Sequence, residues 1–349
     1  MTLLQEFIKL SKYAGLRQDL IQAGGGNSSV KIDNQKMYIK ASGYHLADMS
    51  ENSGFSVIDY KLIQDFFAHS ELDTEAAEKG VIEKCLIEGK KPSIETFLHA
   101  LSRGTYTLHT HPIAVNVLCC RQTGQSELQK LFPDAVFVGY KKPGLALARL
   151  FFEAAKTSNT RETEIFFLKN HGLVVSANSI HAVIEKTEAV LLKIEKYLCA
   201  DFSQYRNVTA LMNIIEECGY DFGNIYSCND FDVRTMAKEG MWRYDFCPDS
   251  IVFCGKLPLA IDANTKNVHG DIKNYFASYG KPAVILYKKN CYICADNFYK
   301  AKEIESILNF STQVAAYNKN SDIVSLSDKD QNSLINWDAE KYRRTLVNK

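Results

Sequence analysis

The stretch Tyr106-Thr-Leu-His-Thr-His-Pro-Ile-Ala114, YTLHTHPIA, reads as a strand that carries two histidines two residues apart. Residues i and i+2 of a strand point to the same face, so His109 and His111 project side by side while Thr110 faces the other way. Two imidazoles so placed are within reach of one metal ion. A third donor is offered by His171 in IFFLKNHGLVVS, where Asn170-His171-Gly172 interrupts two apolar runs as a hairpin turn does. Three neutral imidazoles with an open fourth position make a catalytic zinc-type site. The same histidines would also suit core and turn positions, and these residues alone leave both readings open.

Around this strand the chain alternates helices and strands. Residues 3–20, 75–88, 94–103 and 179–199 have helical spacing. Val30–Ile32 and Lys36–Lys40 alternate as a hairpin, and 105–110 and 165–168 read as strands. The pattern predicts an α/β layer fold. With 349 residues and 46% hydrophobic content, the chain has room for two cored domains. The join falls near Asp201–Asn207, giving a larger domain over 1–205 and a smaller α/β domain over 206–349. The latter has strand candidates at Ser250–Phe253 and Ala283–Tyr287 and a closing helix from Trp337 to Arg344.

Lys+Arg and Asp+Glu both number 41, so no net field draws the chain onto nucleic acid or an anionic membrane. The expected partner is a small molecule or another protein. No apolar run reaches the length of about eighteen residues needed to span a bilayer. The opening MTLLQEFIKLSKYAG has the charge spacing of an amphipathic helix rather than of a secretion signal. Ten cysteines are scattered, with one Cys291-x-x-Cys294 pair; buried reduced thiols and a cytoplasmic setting are expected.

Two further stretches carry chemistry. In KPSIETFLH, Ser93 is placed as a helix N-cap and Glu95 in the first turn. There the carboxylate either complements the helix dipole or acts as a general acid/base beside a metal. His99, one turn later, reads as a supporting residue rather than a ligand. Gly25-Gly26-Asn27-Ser28 allows positive φ and can turn successive N–H groups toward an anion, with Ser42-Gly43 and Ser93 adding donors. A tight turn is the plainer reading. Neither a dinucleotide fingerprint nor a P-loop is present.

The order GGGNSSVK, IKASGYHL, PSIETFLH, LHTHP, KNHGLVV resembles the class II aldolase/adducin family over about residues 15–195. GGGNSSVK, KASGYHLADM and the closing LSDKDQNSLINWDAEKYRRTL look most like the aldolase portion of bifunctional rhamnulose-phosphate aldolase/lactaldehyde dehydrogenase proteins, here expected without the dehydrogenase. The resemblance implies a three-layer α/β/α domain with a mixed, largely antiparallel sheet. It implies a divalent metal on His109, His111 and His171, zinc first, with manganese, cobalt or nickel as substitutes. It makes Glu95 the catalytic acid/base, and makes Gly26, Asn27, Ser42, Gly43 and Ser93 the binders of a phosphate or other anion. Ile94 departs from the second serine usual in phosphate-using relatives, so a non-phosphorylated substrate stays open. The implied activity is reversible aldol cleavage of a small hydroxy-keto sugar or sugar phosphate through a metal-stabilised enediolate. Decarboxylation of a 3-keto sugar acid, epimerisation, and a non-catalytic adducin-like module are the alternatives. The resemblance further implies a homo-oligomer, tetramer or dimer, in which a residue such as Tyr140 protonates the leaving carbon from a neighbouring subunit.

Overall fold

Period-two alternation, read first at the histidine strand, sets the architecture of the larger sheet. Its strands are β1 (Asn27–Lys31), β2 (Lys36–Lys40), β3 (Phe55–Asp59), β4 (Leu86–Gly89), β5 (Tyr106–Thr110), β6 (Val136–Val138), β7 (Glu164–Leu168) and β8 (Gly172–Ala177). They stand in the order β4-β3-β2-β1-β5-β8-β7-β6. Every pairing is antiparallel except β6 with β7, which is parallel. This is the mixed, largely antiparallel sheet that the family resemblance implies. The computed structural model describes residues 1–72, 74–157, 164–239, 245–262, 267–318 and 324–335.

Eight helices cover this sheet: α1 (Leu3–Gly15), α2 (Tyr60–His69), α3 (Glu75–Cys85), α4 (Thr96–Leu101), α5 (Ile113–Cys119), α6 (Gly124–Leu131), α7 (Leu145–Thr157) and α8 (Ile180–Leu198). Phe167, Leu173 and Val175 share a core with α1, α5, α6 and α8, whereas Phe166, Leu168 and Val174 share one with α2, α3, α4 and α7. Adjacent residues of one strand thus serve opposite cores, and the domain is three-layered, α/β/α. Burial on both faces explains why β7 and β8 read as continuous apolar runs.

Local chemistry fixes the helix ends. Thr2 and Gln5 form a reciprocal capping box at the start of α1, whose buried Phe7, Leu10 and Ala14 lie on one stripe. The Ser179 hydroxyl accepts from the Ala182 N–H to start α8, and Cys199 ends it in the left-handed region at φ 52°.

Three expected elements differ. Residues 86–88, read as the end of a helix, form β4 instead, where they pair with the otherwise open edge of β3. The helix expected from residue 94 begins at Thr96, with Glu95 at its N-cap position. Ser250–Phe253, read as a strand, lies in a helix, because Pro248 starts that helix at its first turn and the buried Ser250, Ile251 and Cys254 follow helical spacing.

The chain divides into compact units at Met1–Phe202 and Ser203–Lys349. The second unit contains α9 (Ser203–Glu217), β9 (Asn224–Ser227), α10 (Phe231–Glu239), α11 (Pro248–Cys254), β10 (Leu259–Ile261), α12 (Val268–Tyr279), β11 (Val284–Tyr287), β12 (Asn290–Ala295), α13 (Phe298–Tyr317) and α14 (Asp328–Ile335). Its sheet has the order β10-β11-β12-β9, and β11 matches the strand expected at 283–287. The helix expected over 337–344 lies outside the described residues. All ten cysteines are free, and six of them are buried. Among the described residues no helix is long and apolar enough to cross a membrane.

Candidate metal centre

Strand β5 delivers His109 to the face that packs on α4, and its next two residues carry the chain to His111 just beyond the strand end. Antiparallel β8 lies alongside, and the turn that joins it to β7 holds His171 with Asn170 at φ 52°. From the other side Glu95 enters ahead of α4. One ligand atom from each of Glu95, His109, His111 and His171 fits within 4.8 Å of the others. His109 Nε2 is 3.1 Å from His111 Nε2 and 3.2 Å from His171 Nε2. Glu95 Oε1 is 2.9 Å from His171 Nε2 and 3.3 Å from His109 Nε2.

The donor set fits a divalent cation. His109 Nδ1 lies 3.0 Å from the Leu173 carbonyl, which can only accept, so Nδ1 carries a proton; burial lowers the pKa of this ring but Glu95 outweighs it and raises it, and Nε2 is a bare acceptor in the neutral form that a cation would bind. That acceptor faces two other imidazole nitrogens and a carboxylate oxygen inside a buried site, an arrangement that calls for positive charge between them. Burial, reinforced by His109 and His171, pushes His111 down to about 3, which keeps this ring neutral. Burial raises the Glu95 carboxyl, but His109 and His171 outweigh it and hold Glu95 well below the usual carboxylate range. Three imidazoles and one carboxylate make an N3O set that suits zinc and its first-row neighbours.

Glycines make room for the rings. A Cβ on Gly25 would sit 2.9 Å from His111 Nδ1, and one on Gly172 would sit 3.1 Å from His111 Cδ2 and 2.2 Å from the Thr110 carbonyl. The His111 ring is therefore held between two backbones that only glycine lets approach so closely.

The residues read as anion binders surround this centre in different ways. Asn27 does not offer its amide to the loop; Nδ2 donates to Glu95 Oε2 at 2.5 Å, leaving the other carboxylate oxygen for the imidazoles. Gly26 has φ 71° and Gly43 φ 82°, and Gly43 faces open space. Segments 40–42 and 91–93 are clipped together, with Ser42 N donating to Lys91 O at 2.8 Å and Ser93 N to Lys40 O at 3.1 Å. Ser93 Oγ accepts from the Glu95 N–H at 3.3 Å, so this serine shapes the turn that presents the carboxylate. His99 is fully buried with Nδ1 2.8 Å from Ser29 Oγ, outside the four-atom cluster.

Three contributors were not read from the sequence. Lys40 is 3% exposed, and its Nζ donates to the Gly24 carbonyl at 3.3 Å. Burial lowers its pKa and the Glu95 charge partly restores it. A cation is thus built in beneath the glycine loop. Arg17, 0% exposed, pairs with both Asp19 oxygens and with Glu188 at 2.6 Å, bracing the turn whose Asp19 and Leu20 carbonyls accept from Ile113 N and His111 N. Asn116 Nδ2 donates to the His171 carbonyl at 3.1 Å, while its Oδ1 is buried and accepts nothing among the described residues. An orphaned buried acceptor costs about 1–3 kcal/mol. The signals were present: Arg-x-Asp within LRQDLIQ, and one amide inside the apolar run IAVNVLCC.

Residues 5–195 match the family described as Class II Aldolase and Adducin N-terminal domain. A Bacillus subtilis (strain 168) protein described as uncharacterized oxidoreductase YuxG is 25% identical over 303 residues, covering 76% of this chain and 43% of its own length. The chain therefore spans less than half of that relative. Among solved structures, the N-terminal class II aldolase domain of a conserved protein from Thermoplasma acidophilum is similar, with TM-score 0.51 and 22% identity. That similarity covers 56% of this chain and 94% of that one, and it bears on the fold.

Proposed function

Because the chain belongs to the class II aldolase and adducin family, we propose that its larger unit is a metal-dependent carbon–carbon lyase, which reversibly cleaves a small hydroxy-keto sugar or sugar phosphate. The observation that carries this reading is the convergence of His109, His111, His171 and Glu95 on one point, with Glu95 Oε2 tied to Asn27 and Oε1 turned inward. His109, His111 and His171 would hold the cation, zinc first. When bound, it supplies positive charge where a substrate oxyanion develops.

Glu95 then stands next to the substrate carbon that becomes nucleophilic. Its carboxylate takes a proton from that carbon in the condensation direction and returns it after cleavage. Asn27 keeps the carboxylate aimed for both steps. Lys40, the Gly24–Gly26 loop, Ser42-Gly43 and Ser93 are assigned the far end of the substrate. A buried lysine there favours an anionic tail, phosphate or carboxylate, in a place where Ile94, 45% exposed, offers no hydroxyl.

A panel of hydroxy-keto sugars and their phosphates, incubated with metal-loaded protein, tests the reaction. The expected product is an aldehyde. Carbon dioxide from 3-keto sugar acids with no aldehyde from the panel would replace the aldolase reading with decarboxylation. Inversion at a carbinol carbon without cleavage would replace it with epimerisation.

A further inference from the structure

The three imidazoles are not held equally well. His109 sits within a paired strand and its Nδ1 is bound to Leu173 O. His111 has its N–H on Leu20 O at 2.9 Å and its ring between Gly25 and Gly172. His171 lies in a turn, and among the described residues its ring has no partner outside the cluster itself. Its direction therefore comes from its backbone.

That backbone is docked on α5. Asn170 N donates to Cys119 O at 3.2 Å at the end of the helix, and Asn116 Nδ2 donates to His171 O one turn earlier. The same helix starts from Pro112, directly after His111, and Asn116 N donates to Pro112 O at 2.9 Å. One short rod thus begins at one histidine and grips the other.

We propose that Asn116 is a positioning residue that sets His171 against His111, so that α5 gauges the spacing of the two turn histidines. The inference rests on the metal reading above. The amide orientation is fixed, because a carbonyl only accepts and Nδ2 must face it. Its other end is then left buried without a partner, a departure from ordinary satisfaction of the kind found at functional positions. An apolar residue would avoid that orphan but would release the His171 carbonyl. The Asn170–Cys119 bond would keep the turn docked while the ring loses its bearing.

The test titrates Co2+ into metal-free protein and records both affinity, by chelator competition, and the visible absorption spectrum. Wild type is compared with Asn116→Leu, which removes the donor, with Asn116→Asp, which keeps the shape but opposes an acceptor to the carbonyl, and with His109→Ala. Val117→Ala, on the exposed side of α5, is the control. Both Asn116 variants are expected to bind Co2+ about 10–100-fold more weakly with an altered spectrum, while folding as the metal-free wild type does. Val117→Ala should match wild type. Unchanged affinity and spectrum in both Asn116 variants, with binding lost in His109→Ala, would overturn the role of Asn116 alone. Wild-type protein that takes up no Co2+ would overturn this inference together with the metal reading.

Discussion

At the scale of single residues, the site is built from small constraints on large rings. Gly25 is the sharpest case, because any Cβ there would press on His111 Nδ1 at 2.9 Å. Gly25→Ala should fold and yet bind metal about 10-fold more weakly, as misdirected ligands do, which competition with a chelator would show. Lys40 predicts the opposite trade. Burial disfavours its charge, so Lys40→Met should raise the melting temperature while weakening inhibition by inorganic phosphate; thermal melts and inhibition assays read the two arms. The histidines and Glu95 were legible because each breaks a local pattern: two imidazoles at the end of a strand-like run, one in a hairpin turn, a carboxylate after Pro-Ser. Lys40 was not, since only the packed fold shows that a lysine ending an ordinary alternating strand is covered by the glycine loop. Asn27 was assigned from its loop, but its amide is on a carboxylate 68 positions away in sequence.

At the scale of elements, position is set by bonds between segment ends. The 17–21 turn joins α1 to the glycine loop and accepts the N–H groups on either side of Pro112. Its geometry depends on Arg17, whose charge is compensated by Asp19 and Glu188, with Tyr13 also donating to Glu188 at 2.6 Å. Removing the cation leaves the buried Asp19 carboxylate and the half-buried Glu188 without their partner, so Arg17→Met should cost about 3–5 kcal/mol in a urea melt. Long periodic elements such as α8, and strands flanking a turn such as β7 and β8, were legible because their pattern repeats over many residues. Short ones were not: Leu86–Gly89 is a strand only because β3 presents an edge, and Ser250–Phe253 is helical because Pro248 starts a helix that a short apolar run does not announce.

At the scale of the whole molecule, the α/β/α unit brings together the four residues proposed as metal ligands and acid/base, and the proposed reaction needs a second proton donor. Tyr140 is 60% exposed on the loop after β6, whose Gly144 lies against Ile94. The proposal is a homo-oligomer in which a neighbouring copy supplies that donor; light scattering should find the active species larger than one chain, and a fully active monomer would contradict it. The central claim is narrower: Glu95 moves the proton at a carbon beside a metal held by His109, His111 and His171. Its most direct test is solvent exchange, in which metal-loaded protein is incubated with dihydroxyacetone or its phosphate in deuterated water without aldehyde, and loss of the C–H signal is followed by NMR. Wild type should exchange the proton, and Glu95→Gln with its metal content intact should do so about 10²–10⁴-fold more slowly. Exchange at the wild-type rate in Glu95→Gln, or none in fully metal-loaded wild type, would contradict the account.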